Sequence, residues 1–191
     1  MSKVEKFRKT RETEIKLKLD LSGGPIEIGT GVGFLDHMLE LLAYHAGFGL
    51  EIQASGDLHV DAHHTVEDVG IVLGEAFSEA LGKREGLARY GEATIPMEEA
   101  LAQVALDLAV RPYFRFEGTF PRERVGDFDL ELIPEFLKAL AMNGRFTLHV
   151  RLLYGENAHH MAEAVFKALA YALRRALRTA EGGPRSTKGL L

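Results

Sequence analysis

Two short segments pair adjacent histidines with a glutamate one helical turn later: His63-His64-Thr65-Val66-Glu67 and His159-His160-Met161-Ala162-Glu163. Imidazole and carboxylate groups are ligands for divalent metal ions. On a helix, residues three and four apart share a face, whereas neighbours diverge by about 100°. Glu67 lies four residues from His63 and three from His64, and Glu163 stands in the same relation to His159 and His160. Each cluster can therefore offer ligands in two directions, and two clusters suit two metal ions. Alone, such a pair is most often solvated helix surface, because short motifs are unspecific. Its recurrence in corresponding places along the chain is what points to metal.

The rest of the composition narrows the chemistry. There is no cysteine, which excludes disulfides, thiolate zinc sites, cysteine-held iron–sulfur clusters and cysteine nucleophiles. A net charge of -5 provides no general attraction to nucleic acid or to an anionic membrane, since both need a basic surface. An anionic ligand must then find a local site. One candidate is Pro184-Arg185-Ser186-Thr187-Lys188-Gly189, after Gly182-Gly183, where a lysine flanked by hydroxyls can hold a phosphate through charge-assisted hydrogen bonds. Arg89 and Arg111 could add bidentate contacts to the same anion. Met1 to Arg11 mixes Lys3, Glu5, Lys6, Arg8 and Lys9 without an apolar run, so it does not read as a signal peptide. No segment is long enough to span a bilayer, and a cytoplasmic location is expected.

The elements that must position these groups follow from periodicity and from an internal repeat. A shift of 98 residues lays Asp36 to Ala43 over Pro134 to Ala141, and Leu50 and Ile52 over Leu148 and Val150. His37 then meets Glu135. A shift of 87 lays Leu17 to Leu21 over Val104 to Leu108, and the change of shift implies a longer connection in the second half. Glu14 to Leu21 alternates apolar and polar residues, Ser22-Gly23-Gly24-Pro25 marks a turn, and Ile26 to Thr30 reads as the returning strand of a hairpin. Phe34 to Tyr44 has helical spacing and stops at Ala46-Gly47, and Leu50 to Ala54 is a strand. The helix after each histidine pair has one apolar face, formed by Val66, Val69, Leu73 and Phe77 in the first and by Val165, Phe166, Leu169 and Leu173 in the second.

The chain thus reads as a single catalytic domain of two strand-strand-helix-strand-helix pseudo-repeats, about residues 10–88 and 92–178, with a substrate-binding tail at 182–191. It is an α+β fold in which the helices pack against one another between two mixed sheets. With His37 and Glu135 added, the candidate ligands are His37, His63, His64, Glu67, Glu135, His159, His160 and Glu163. More than four such ligands favours an octahedral ion such as Mn2+.

At Phe34-Leu35-Asp36-His37-Met38, Asp61 to Asp68, Asn157 to Glu163 and Ser186-Thr187-Lys188-Gly189, the chain resembles the imidazoleglycerol-phosphate dehydratase family over nearly its whole length. Glu135 stands where many members have histidine. The resemblance implies a ribosomal protein S5 domain 2-like fold and removal of water from D-erythro-1-(imidazol-4-yl)glycerol 3-phosphate to give 3-(imidazol-4-yl)-2-oxopropyl phosphate, in histidine biosynthesis. It implies two Mn2+ ions per active site and a homo-oligomer of 24 subunits with active sites shared between subunits. It also implies that Arg89, Arg111, Ser186 and Lys188 bind the phosphate and that Glu12 contacts the substrate near the reacting carbons. His37, His64, Glu67, His160 and Glu163 join Glu12 as catalytic candidates. The expected chemistry is that of a metal-bound imidazolate, whose electron density expels the neighbouring hydroxyl while Glu12 or Glu163 moves protons.

Overall fold

The structure is a computed structural model describing residues 3–180. The strands and helices are β1 (Lys3–Lys9), β2 (Thr13–Asp20), β3 (Ile26–Gly29), α1 (Gly33–Ala46), β4 (Gly49–Gly56), α2 (His63–Leu81), β5 (Tyr90–Met97), β6 (Ala100–Asp107), β7 (Tyr113–Glu117), β8 (Arg124–Val125), β9 (Phe128–Asp129), α3 (Leu132–Gly144), β10 (Thr147–Tyr154) and α4 (Ala158–Ala176). Two four-stranded sheets have matching orders, β1-β2-β4-β3 and β5-β6-β10-β7. In each, the first three strands run antiparallel and the last pair is parallel.

Alternation along the strands decides which face is buried. Ile15, Leu17 and Leu19 of β2 and Leu50 and Ile52 of β4 turn inward, as do Ala102, Val104 and Leu106 of β6 and Leu148 and Val150 of β10. Helices α1 and α2 cover the first sheet, and α3 and α4 cover the second. The helical layer closes by packing α2 on α3 and α1 on α4. This is the expected α+β arrangement of helices between two mixed sheets. The α2–α3 seam is narrow because α2 places glycine where a side chain would collide: a Cβ on Gly74 would lie 2.7 Å from the carbonyl oxygen of Leu140.

Two local expectations change. The strand at residues 26–29 does not pair back on β2; it joins β4 in parallel. Gly23 and Gly24, with φ of 112° and 150°, carry the chain across the end of β4, where Pro25 accepts a hydrogen bond from the Leu50 N–H at 2.8 Å. Both long edges of β2 are already taken by the longer strands β1 and β4. Each half therefore contributes three strands to its four-stranded sheet before its first helix, and the second half adds the β8–β9 hairpin. β1 itself falls in the segment that read only as charged. Its inward face carries Lys6 and Arg8, neutralised by Glu79 at 2.6 Å and Asp68 at 3.0 Å, both on α2. An edge strand with inward-pointing charges resists pairing with other chains and leaves no apolar alternation to detect.

Strand β5 approaches α4 so closely that a methyl group on Gly91 would overlap the backbone of Ala172. Overpacking of this kind costs about 1–3 kcal/mol. Gly91→Ala is expected to lower the thermal midpoint clearly, whereas Gly29→Ala, which meets nothing within 4 Å, should leave it close to that of the parent; equal midpoints for both would contradict the close approach.

Candidate metal and substrate site

Both histidine pairs sit in the first turn of a helix, and both are set there in the same way. The Asp61 side chain accepts the backbone N–H of His63 at 2.8 Å, and the Asn157 side chain accepts that of His159 at 2.9 Å. These bonds satisfy amide groups that have no partner within the helix. Adjacent rings then diverge: His63 and His64 lie at 90° to each other, and His159 and His160 at 84°.

His159 turns towards Glu163 and His37. Glu163 Oε1 lies 2.9 Å from His37 Nε2 and 3.2 Å from His159 Nε2, and its other oxygen accepts from Lys167 Nζ at 2.7 Å. Burial alone would raise the Glu163 carboxyl; hydrogen bonds from Lys167, His37 and His159 and the charge of Lys167 outweigh it and bring it down to about 2. Two imidazole nitrogens and one carboxylate oxygen thus converge closely enough to hold one metal ion. The donor set is free of sulfur and suits zinc, manganese or iron. His37 comes from α1 and the other two from α4, so this triad bridges the α1–α4 seam.

The partner of each pair turns the other way. His160 Nδ1 donates to Glu99 Oε2 at 2.9 Å, with Glu98 at 3.9 Å. His64 Nδ1 donates to Asp57 at 3.0 Å, and its Nε2 lies 3.9 Å from Glu12. Donating these hydrogen bonds to Asp57 and Glu99 raises the pKa of His64 and His160, and the bond that Glu99 accepts from His160 is the main reason its carboxyl falls to about 2. His63 lies 3.8 Å from Glu67. Glu135 joins no ligand group among the described residues and instead faces Lys138 at 3.6 Å.

A cleft of about 770 Å³ opens on this region, lined by Gly31, Val32, His37, Asp61, Ala62 and His159 and walled by the β8–β9 hairpin. Phe128 of β9 packs on Phe34 at 5.1 Å, and Phe34 meets the edge of the His159 ring. A groove of similar size, about 760 Å³, crosses the outer face of the first sheet. It is lined by surface lysines and glutamates such as the Lys18–Glu51 pair and gathers no ligand cluster, so size alone does not locate the chemistry.

The anion-binding candidates lie elsewhere. Arg89 is buried, and its guanidinium grips Asp107 through Nε at 2.7 Å and Nη2 at 2.9 Å while stacking over Tyr90. Burial pushes the Asp107 carboxyl up, but bonds from Arg89 and the Ala109 N–H, and the charges of Arg89 and Arg111, leave it below its ordinary value. Arg111 is exposed beside this pair. The Arg89 N–H donates to the carbonyl of Ala176, at the C-terminal end of α4. His159 opens the same helix, so roughly 26 Å of helix at 1.5 Å per residue separates the two. Ser186 and Lys188 lie outside the described residues.

Asp57, Glu99 and Lys167 are engaged here although no motif marked them. Lys167 stands four residues after Glu163, a spacing the helix pattern could have flagged. Glu99 is 61 residues from His160, and only the fold brings them together.

Fold and site define a protein that gathers imidazoles and a carboxylate beside a cleft, in a group able to hold a metal ion. Residues 30–173 match the family model of imidazoleglycerol-phosphate dehydratase. The chain belongs to that family. It is 56% identical to the imidazoleglycerol-phosphate dehydratase of Desulforudis audaxviator, covering 99% of this chain and 97% of the relative. It is 54% identical to that of Clostridium botulinum, covering 97% and 96%. Its structure superposes with a TM-score of 0.86 on the crystal structure of imidazoleglycerol-phosphate dehydratase from Staphylococcus aureus, at 41% identity over 94% of this chain and 100% of that one. The Pyrococcus furiosus structure gives 0.85 at 40% identity, over 97% and 100%. No described helix is long and apolar enough to cross a membrane.

Proposed function

We propose that the chain dehydrates D-erythro-1-(imidazol-4-yl)glycerol 3-phosphate to 3-(imidazol-4-yl)-2-oxopropyl phosphate in histidine biosynthesis, as a single cytoplasmic catalytic domain of two pseudo-repeats. The observation that carries this reading is the His37–His159–Glu163 triad at the cleft, in a chain of this family. The substrate offers an imidazole at one end and a phosphate at the other, and the chain has a matching group for each.

The ligands would be His37, His63, His64, Glu67, Glu135, His159, His160 and Glu163, holding two Mn2+ ions per site. When bound, these ions would supply a positive field that favours the deprotonated form of the substrate's imidazole ring. Glu163 is buried and engaged on both oxygens, which suits a ligand better than a proton carrier. Glu12 is exposed beside His64 and is placed to move the protons. Arg89, Arg111, Ser186 and Lys188 would grip the phosphate, so that binding energy at that end orients the reacting carbons. Asp107 holds the Arg89 fork in place.

The length of α4 bears on assembly. The arginines and the triad of one chain lie too far apart to hold one small substrate. The site would therefore combine the metal end of one copy with the phosphate end of another, in a homo-oligomer proposed to contain 24 subunits. The direct test is product analysis: the phosphorylated ketone should appear in step with substrate loss, and release of inorganic phosphate in its place would point to hydrolysis and overturn the reading.

A further inference from the structure

We propose that Asp57 and Glu99 are positioning residues that lock His64 and His160 in the Nδ1–H tautomer, so that each ring offers Nε2 to a metal ion. The inference rests on the metal-dependent reading above and adds to it which atom of two ligands does the binding, and why.

A neutral imidazole carries its proton on one nitrogen, and only the other has a lone pair for a metal. Each pair contains one ring whose Nε2 already faces a carboxylate ligand (His159 towards Glu163, His63 towards Glu67) and one whose Nδ1 is taken by a carboxylate outside the pair. A carboxylate that accepts from Nδ1 fixes the proton there and turns Nε2 to the opposite side of the ring. For His64 that side faces Glu12, at 3.9 Å from Nε2. The same device occurs in both halves although its carboxylates come from unrelated places, Asp57 after β4 and Glu99 in the turn between β5 and β6. Carboxylates that hold the far nitrogen of a metal-binding histidine orient the ring and raise its basicity. Glu98, Glu99 and His160 lie close enough to resemble a metal site of their own. The hydrogen bond to Nδ1 instead makes Glu99 a support for His160.

Glu99 has a feature that makes the idea testable. Its Oε1 accepts the backbone N–H groups of Glu156 at 3.2 Å and Asn157 at 2.7 Å, while Oε2 serves His160. In Glu99→Gln the single carbonyl oxygen must stay on the two backbone donors, which leaves the amide NH2 facing Nδ1. Donor then meets donor, and the ring must move its proton to Nε2, where it blocks the metal. Asp57 has no such anchor on its side chain among the described bonds, so in Asp57→Asn the carbonyl can rotate to His64 and keep the tautomer.

The experiment measures Mn2+ affinity of the intact assembly by chelator competition, and the tautomers of the metal-free protein by solid-state 15N NMR of labelled histidine. Glu99→Gln should weaken Mn2+ binding about 10- to 100-fold and convert one histidine from the Nδ1–H to the Nε2–H form, with unchanged circular dichroism. Asp57→Asn should change neither reading, while Asp57→Ala should weaken Mn2+ binding. Equal weakening by Glu99→Gln and Asp57→Asn would mean that only lost charge matters and would overturn the proposal, as would an unaltered tautomer in Glu99→Gln. Metal-independent turnover by the parent protein would refute the functional reading instead; the tautomer measurement needs no metal, so the two failures are told apart.

Discussion

Assemblies formed from a mixture of His159→Ala and Arg111→Ala chains should turn over substrate faster than assemblies of either variant alone. His159→Ala removes a metal ligand, and Arg111→Ala weakens the phosphate end. If one site takes its metal end from one copy and its phosphate end from another, about one quarter of the sites in a randomly mixed closed assembly receive both ends intact. If a single chain supplied both ends, every site would carry a defect and mixing would recover nothing. Arg111 is the better choice than Arg89 because Arg89 is buried against Asp107, and breaking a buried pair can unfold the chain. Co-expression with two affinity tags and tandem purification isolates the mixed particles. Rates should be read well below the KM of the parent, where both defects count. Recovery absent from verified mixed particles would place the whole site in one copy.

Exhaustive chelation should remove all measurable turnover, and Mn2+ should restore it. The expected effect is large because the Glu163 triad gathers a carboxylate oxygen and two imidazole nitrogens around one point at the cleft, and removing an ion from that point removes the positive field on which the proposed reaction depends. Full activity in protein verified as metal-free by elemental analysis would exclude any role for metal in the reaction. Chelation under the same conditions should leave the far-ultraviolet circular dichroism signal in place, so that loss of activity is not mistaken for loss of fold.

Much of this was visible in the chain itself. The histidine pairs announced the candidate ligands and the helix starts, and alternation in β2 and periodicity in α1, α2 and α4 placed the core. What stayed hidden had physical causes. β1 carries only Val4 as a buried apolar side chain on its inner face, with Lys6 and Arg8 in the next two inward places, so these two looked like solvent-exposed residues until Glu79 and Asp68 came to meet them. The turn at Ser22 to Pro25 had hairpin chemistry, but the partner of a strand is chosen by the sheet as a whole. Asp57 and Glu99 are ordinary surface carboxylates by composition, and their value depends on contacts that the fold makes. Arg89 was named as a candidate phosphate ligand through the family resemblance, whereas its burial against Asp107 depends on the docking of β5 and β6 beside the end of α4.

The triad at the α1–α4 seam has a consequence for the lifetime of the protein. His37 belongs to one half of the molecule and His159 and Glu163 to the other, so anything clasped by all three acts as a staple between halves already joined by packing, by the hydrogen bonds of Arg84 to the carbonyls of Leu108, Gly144 and Arg145, and by the connecting chain. A ligand that binds only the folded form adds about 2.7 kcal/mol when present at a hundred times its dissociation constant. A cell starved of the ion would then face two losses together: the reaction would stop, and the unstapled subunit would open more often to proteases, lowering its abundance as well as its activity.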